Sequence, residues 1–273
     1  PDVRNWIGLR AAVGPCPLPC RKVGNQDGDL KQKRKKLGAI LIGDSHAAMI
    51  EGTFRGVLGE GDDALISITT NACPTIRGVK RPGHQCTRFF NSLIERLSSL
   101  PPQIPAVVVN RGSEAIFGAN EVPANERRAP SIRFDEWFEK PEQKFLEQFR
   151  ERYISSMCEI AEGRDLYVTR PVPEMKVNIS KKAYRLGIVG LPTPKEFSIP
   201  ISEYNARHKF LRSVQDEAAQ KCNFKILDPT PFLCSEDRCY GIQEGRSFYR
   251  DDDHLSELGA DLLSPMLEQI WAD

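Results

Sequence analysis

Apolar residues along this chain fall in short continuous runs separated by longer stretches with helical spacing. Residues 37–44, "LGAILIGD", are an unbroken apolar run ended by a turn, the pattern of a strand buried on both faces. Residues 46–60 follow with a period near 3.6, so that Met49, Phe54 and Leu58 share one helical face. The same alternation predicts strands over 64–69, 105–110, 165–173 and 224–228. It predicts helices over 87–100, 142–161 and 201–222. A closing helix over 256–271 is expected to break or kink near Pro265. Strands that alternate with helices throughout imply an α/β fold, a three-layer sandwich around a central parallel sheet. Residues 1–36 carry Pro, Gly and charge without a long periodic run and read as an irregular N-terminal extension packed on one domain, 37–273. Residues 174–200 are rich in loop signals and are expected to form a flap over the rim at the strand ends.

Composition narrows the function classes. The 273 residues carry 38 Lys and Arg against 37 Asp and Glu, a formal net charge of +1, so no global field points to nucleic acid or an anionic membrane. The basic run over 31–36 reads as a solvated loop. No apolar stretch approaches the ~20 residues that span a bilayer. The chain begins at Pro1 without a signal peptide, as expected for a processed form or a part of something longer. Trp6, Trp137 and Trp271 are scattered and read as packing residues rather than a sugar platform.

Eight cysteines are many for a cytosolic enzyme and favour disulfides in an oxidising compartment. Proximity suggests Cys73–Cys86 and Cys234–Cys239, then Cys16–Cys20 and Cys158–Cys222. Zinc is the rival use. However, Cys16/Cys20 and Cys234/Cys239 lie four and five residues apart with no matching second knuckle, so no metal site is expected.

Two short motifs carry candidate chemistry. In "LIGDSHA", Ser45 stands where a buried strand turns into a helix. A hydroxyl there sits at the strand tip, and the Ser45 N–H lies in a first helical turn, where donors are unpaired and negative charge is favoured. A nucleophile and half of an oxyanion hole arrive together. The ordinary alternative is a helix N-cap, a role equally open to Ser45 and Asp44; Asp44 is read as structural. In "YRDDDHLS", Asp251 precedes His254 by three residues, a spacing that lets a carboxylate fix the imidazole tautomer and leave Nε2 free to take a proton. Alone, that motif reads as an acidic loop with a capping histidine. Asp252 and Asp253 compete for the carboxylate role, although the Asp253 side chain is expected to diverge from its neighbour. His84 lies in the proposed disulfide loop, His208 inside a helix, and His46 is expected to be turned away by the helix, which leaves His254 as the base.

A strand-end serine early and an Asp-x-x-His before the last helix jointly resemble the SGNH (GDSL-like) hydrolase superfamily over residues 37–272. "LIGDSHA", "NACPTI", "PVPE" and "YRDDDHLSELGA" together resemble, more narrowly, the SGNH domain fused behind membrane acyltransferases of family three, which O-acylate bacterial surface glycans. The resemblance implies an SGNH-hydrolase-like, flavodoxin-like sandwich, with Ser45 as nucleophile, His254 as general base and Asp251 as its orienting partner. It implies a periplasmic location and an upstream membrane acyltransferase domain. It also implies an acyl donor, acetyl by expectation, with a glycan such as lipopolysaccharide O-antigen as acceptor. Neither cofactor nor nucleic acid is expected, and the isolated domain is expected to be monomeric. The sequence departs from the superfamily where the second block usually supplies Gly, here Ala72, and where the third reads Gly-x-Asn-Asp, here Asn110-Arg111. The expected oxyanion donors are therefore Ser45, Ala72 and Asn110, with Arg111 as the alternative to Asn110. A secreted carbohydrate acetylesterase and a non-catalytic glycan-binding module are the alternatives.

Overall fold

The structure is a computed structural model that describes residues 36–59, 63–121, 130–188, 192 and 194–272. The expected N-terminal extension, apart from Lys36, lies outside the described residues, as does the Cys16–Cys20 pairing.

Five parallel strands form the central sheet: β1 (Lys36–Gly43), β2 (Asp63–Thr69), β3 (Ala106–Val109), β4 (Leu166–Thr169) and β6 (Lys225–Leu227), in the order β2-β1-β3-β4-β6. The apolar runs are continuous because both faces are covered. In β1, Ile40 and Ile42 enter one core with α2 (Cys86–Ser98), α4 (Gln143–Ala161) and α6 (Ile201–Cys222). Ala39 and Leu41 enter the opposite core with α1 (Ser45–Leu58), α8 (Glu257–Asp261) and α9 (Ser264–Glu268). The sandwich therefore has three layers. The face of α1 that reaches the core is Ala47, Ile50 and Phe54; Met49 and Leu58 flank it half-buried, a rotation from the face read off the sequence. The closing helix is split into α8 and α9, with Pro265 in the first turn of α9, where its missing N–H costs nothing. A 3-10 turn, Gln269–Trp271, ends it.

The described residues of 174–200 are largely regular elements rather than loop. Ile179–Ile188 is helix α5, and Phe197–Pro200 is strand β5, which pairs antiparallel with β7 (Arg238–Gln243); β8 (Arg246–Ser247) completes a second small sheet. The β7–β8 turn places Glu244 and Gly245 both at positive φ (51° and 76°), the backbone a tight two-residue hairpin requires. Met175 and Ile179 are fully buried, so the start of the segment belongs to the core. Short helices α3 (Gly112–Phe117) and α7 (Thr230–Leu233) also escaped the sequence pattern. Disulfides join Cys73 to Cys86, Cys158 to Cys222 and Cys234 to Cys239. Cys158–Cys222 ties the ends of α4 and α6 together.

Gly43 shows why the strand tip is shaped as it is. Its φ is +151°, and a β-carbon would stand 1.9 Å from the Val109 carbonyl oxygen. Strands β1 and β3 can approach this closely only around a glycine. Gly43→Ala is expected to cost about 1–3 kcal/mol, read as a lower urea midpoint at unchanged slope.

Candidate active site

Ser45, Ala72, Asn110 and the Asp251–His254 loop all lie at the carboxyl rim of the sheet, where open α/β folds bind ligands. The helix cap is Asp44, not Ser45. Asp44 Oδ1 accepts from the His46 N–H at 2.9 Å, and Oδ2 accepts from the Arg111 N–H at 2.8 Å. Burial pushes the Asp44 carboxyl up, opposed by His46, by the two backbone donors and by the Arg111 charge. With the cap supplied by its neighbour, the Ser45 hydroxyl is free for another partner. It lies 2.8 Å from His254 Nε2. Nδ1 of His254 is 2.9 Å from Asp251 Oδ2, and Asp251 Oδ1 accepts from the backbone N–H of His254 (2.7 Å) and of Asp253 (3.0 Å).

The electrostatics follow from those contacts. The hydrogen bond to Asp251 raises the His254 pKa above the ordinary histidine value, with burial opposing and the Asp253 and Asp251 charges adding. Burial would raise the Asp251 carboxyl, but bonds from the His254 ring and from the His254 and Asp253 N–H groups hold it well below the usual carboxylate range. The loop is pinned from behind: the Met175 N–H donates to Asp252 O at 2.6 Å and the Ile179 N–H to Asp251 O at 3.0 Å.

Two expectations need correction. His46 is not turned away from the site; its Nε2 is 2.8 Å from Asp253 Oδ2, and its ring centroid is 5.1 Å from that of His254. Asp253 does not diverge from His254: the same Oδ2 lies 3.4 Å from His254 Nδ1. Arg111, a candidate stand-in donor in the sequence, is instead the polar heart of the site. Its Nε reaches Asp253 at 3.1 Å and Glu174 at 3.3 Å, and its Nη2 reaches Asp252 at 3.4 Å. Arg207 holds the other Glu174 oxygen at 2.9 Å. Burial would raise Glu174 and Asp253. Arg207 and Arg111 lower the first, and the His46 bond, His46 and Arg111 lower the second. Asp252 is pushed up to about 7 by burial and by the Asp253 and Glu121 charges, against Arg111.

The expected oxyanion donors fare differently. The Ser45 N–H is the first of its helix and among the donors a helix leaves open. Ala72 has φ 60°, the left-handed region, where a β-carbon is uncommon and glycine is the ordinary choice. No described residue accepts from its N–H, while its carbonyl accepts from Arg81 Nη1 at 3.2 Å. Asn110 is committed to Thr75: Oδ1 accepts from Thr75 N at 2.6 Å and Nδ2 donates to Thr75 Oγ1 at 3.0 Å. Asn110 thus braces the loop that carries Ala72 and keeps one Nδ2–H for another acceptor. His46, Asp253 and His254 offer ligand atoms within 4.8 Å of one another. As a metal centre they fit poorly, because His46 Nε2 is spent on Asp253 and His254 Nδ1 on Asp251.

This sheet order, with a serine at the β1–α1 turn and an Asp-x-x-His loop before the last helices, is an SGNH-hydrolase-like fold. The model of one family, described as the SGNH domain (fused to AT3 domains), matches residues 7–269, and the chain belongs to that family. Among solved structures it is similar to the periplasmic domain of a lipopolysaccharide acetyltransferase from Salmonella ser. Paratyphi A. That likeness has a TM-score of 0.59 at 15% identity, covering 88% of this chain and 85% of that one. It is also similar to Est24, a carbohydrate acetylesterase from Sinorhizobium meliloti, with a TM-score of 0.50 at 12% identity and coverage of 87% and 99%. No curated protein matches the chain by sequence. Among the described residues no helix is long and apolar enough to cross a membrane.

Proposed function

We propose that the chain transfers an acyl group, acetyl by preference, to a hydroxyl of a bacterial surface carbohydrate through an acyl-serine at Ser45. The observation that carries this reading is the unbroken relay from Ser45 Oγ through His254 to Asp251, with both links under 3 Å. His254 Nε2 takes the Ser45 proton as Oγ attacks the acyl carbonyl. The N–H groups of Ser45 and Ala72, with the remaining Nδ2–H of Asn110, stabilise the oxyanion. Collapse breaks the bond to the donor, and the leaving group takes the proton from His254. The acceptor hydroxyl then gives its proton to His254 and attacks the acetyl-serine, and Ser45 leaves reprotonated. Protein groups carry every step, without metal or organic cofactor. Membership of a family described by its fusion to AT3 domains supports a linked membrane acyltransferase domain as the donor's source. It also supports work on the periplasmic face of the membrane.

The test is direct. After brief incubation with p-nitrophenyl acetate and an acid quench, the peptide containing Ser45 is expected to gain one acetyl group by mass spectrometry. Faster release of that acetyl on adding oligosaccharide, with acetylated sugar formed, is the transferase outcome. Release to water at a rate indifferent to sugar makes the chain an esterase. Absence of both acetyl-serine and turnover sinks the reading.

The pH profile has a stated direction. Only neutral His254 accepts the proton, and its pKa is raised. Activity should therefore fall as pH drops through a value above the ordinary ~6.5. Asp251→Asn removes the main raising partner, so its acid limb should move to lower pH while kcat/KM falls, measured as initial rates from pH 5 to 9.

A further inference from the structure

A second site lies beside the Ala72 loop. Its floor is a pair of β-bridges, Lys80 with Arg133 and Arg81 with His84. The Lys80 N–H donates to Arg133 O at 2.8 Å and the Arg133 N–H to Lys80 O at 2.9 Å, so these directly opposed side chains leave the same face. The Cys73–Cys86 disulfide and the bond from Thr87 Oγ1 to Val79 O (2.8 Å) make that floor rigid. The groove above it encloses about 570 Å³, the size of a small-molecule site.

Its chemistry is one-sided. Lys80, Arg81, His84, Arg88 and Arg133 line it, with no carboxylate among the described lining residues. Arg81 is neutralised by Glu114 at 2.9 Å. Lys80, Arg88 and Arg133 form no ion pair among the described residues. Asp135 and Glu136, close in sequence, pair instead with Arg152 and Lys144. Arg133 Nε is buried and no described group accepts its hydrogen bond, so no carboxylate of the described chain neutralises this guanidinium. Over this cluster stands Trp137. It is no packing residue: it is 47% exposed, the most exposed large hydrophobic among the described residues, and the Arg133 guanidinium lies 4.8 Å from its ring centroid.

We propose that this groove binds an acidic glycan segment, one sugar ring lying against Trp137 and its carboxylate or phosphate held by Lys80, Arg88 and Arg133. A neutral sugar would leave three cations unmatched, and a lipid surface would find one exposed aromatic rather than an apolar face. Arg81 joins the groove wall to the Ala72 carbonyl, so the groove and the catalytic rim share a loop. Its assignment as an acceptor subsite rests on the acyl transfer proposed above.

Binding is measured on Ser45→Ala protein, which separates it from catalysis, by calorimetric titration at low salt with tetragalacturonate and with maltotetraose. Tetragalacturonate is expected to bind at least about tenfold more tightly, a preference that shrinks as sodium chloride screens the charges. Arg88→Gln with Arg133→Gln should abolish the preference, and Trp137→Ala should weaken tetragalacturonate binding by about tenfold. Melting curves check each variant's fold, and Lys80→Gln, at an exposed position, gives a second reading if the others unfold. Equal binding of the two oligosaccharides overturns the proposal. So does unchanged binding by folded variants, or full displacement by inorganic phosphate at equal charge. Loss of acetyl-serine with binding intact removes only the acceptor role; acetyl-serine without binding removes only the groove.

Discussion

Alanine at Ser45 is expected to abolish the acetyl-enzyme and to lower kcat for p-nitrophenyl acetate by about 10³-fold or more. The size follows from what the hydroxyl touches. Its one described hydrogen bond is to His254 Nε2, so truncation removes the attacking atom and little else. The helix start survives, because Asp44 supplies the cap through its own carboxylate. Stability should therefore change by less than about 1 kcal/mol. The combination is diagnostic: a large loss of rate at constant melting temperature identifies a nucleophile. Equal rates for both proteins would make the serine a spectator at a helix start and give the glycan-binding alternative the lead.

What was legible in the sequence was what is local. A buried strand ending in Gly-Asp-Ser and an Asp-x-x-His turn each lie within a few residues, and a parallel sheet delivers both to the same rim without further information. The choice between Asp44 and Ser45 as cap was not legible, since both are good capping residues. It was settled by the Arg111 N–H, which arrives from 67 positions away. Arg111 was legible only as a stand-in for Asn110; its place in a buried ionic cluster gave no signal, because it follows a strand like any loop residue. Its partners Glu174 and Asp252 lie 63 and 141 positions off. His46 was misjudged for the same reason: its partner Asp253 is 207 positions distant. The second sheet was missed because its strands are short and their burial does not alternate cleanly. Moreover, Glu244-Gly245 is not among the strong hairpin pairs. Ala72 was read as a departure from a glycine pattern; the structure adds that the departure leaves a left-handed backbone in place with a β-carbon on it.

Arg111→Met is the second large effect expected, and it falls first on stability. The side chain is 18% exposed and faces Glu174 at 2% and Asp253 at 4%. Removing one partner of a buried ionic cluster leaves charge uncompensated, which typically costs 3–5 kcal/mol. Here Arg207 still holds Glu174 and His46 still holds Asp253, so the expected loss is about 3 kcal/mol, the low end of that range. The sign of its pH dependence is fixed. Glu174 and Asp253 are held below the ordinary carboxylate value in the folded chain, so their contribution is present above pH ~4 and is lost as pH falls through their folded values. Without Arg111 those folded values rise. The deficit against wild type should thus be largest near neutral pH and shrink toward pH 4, read as urea midpoints at several pH values. A purely structural role would stop there. Arg111 also lowers the His254 pKa through its charge, so in the variant that remains folded the acid limb of the activity profile should move to higher pH. Arg111→Lys should recover part of the stability but not the profile, since one ammonium cannot span the carboxylates that Nε and Nη2 reach together. Superimposable midpoints and profiles would mean that Arg207 and His46 alone neutralise the cluster.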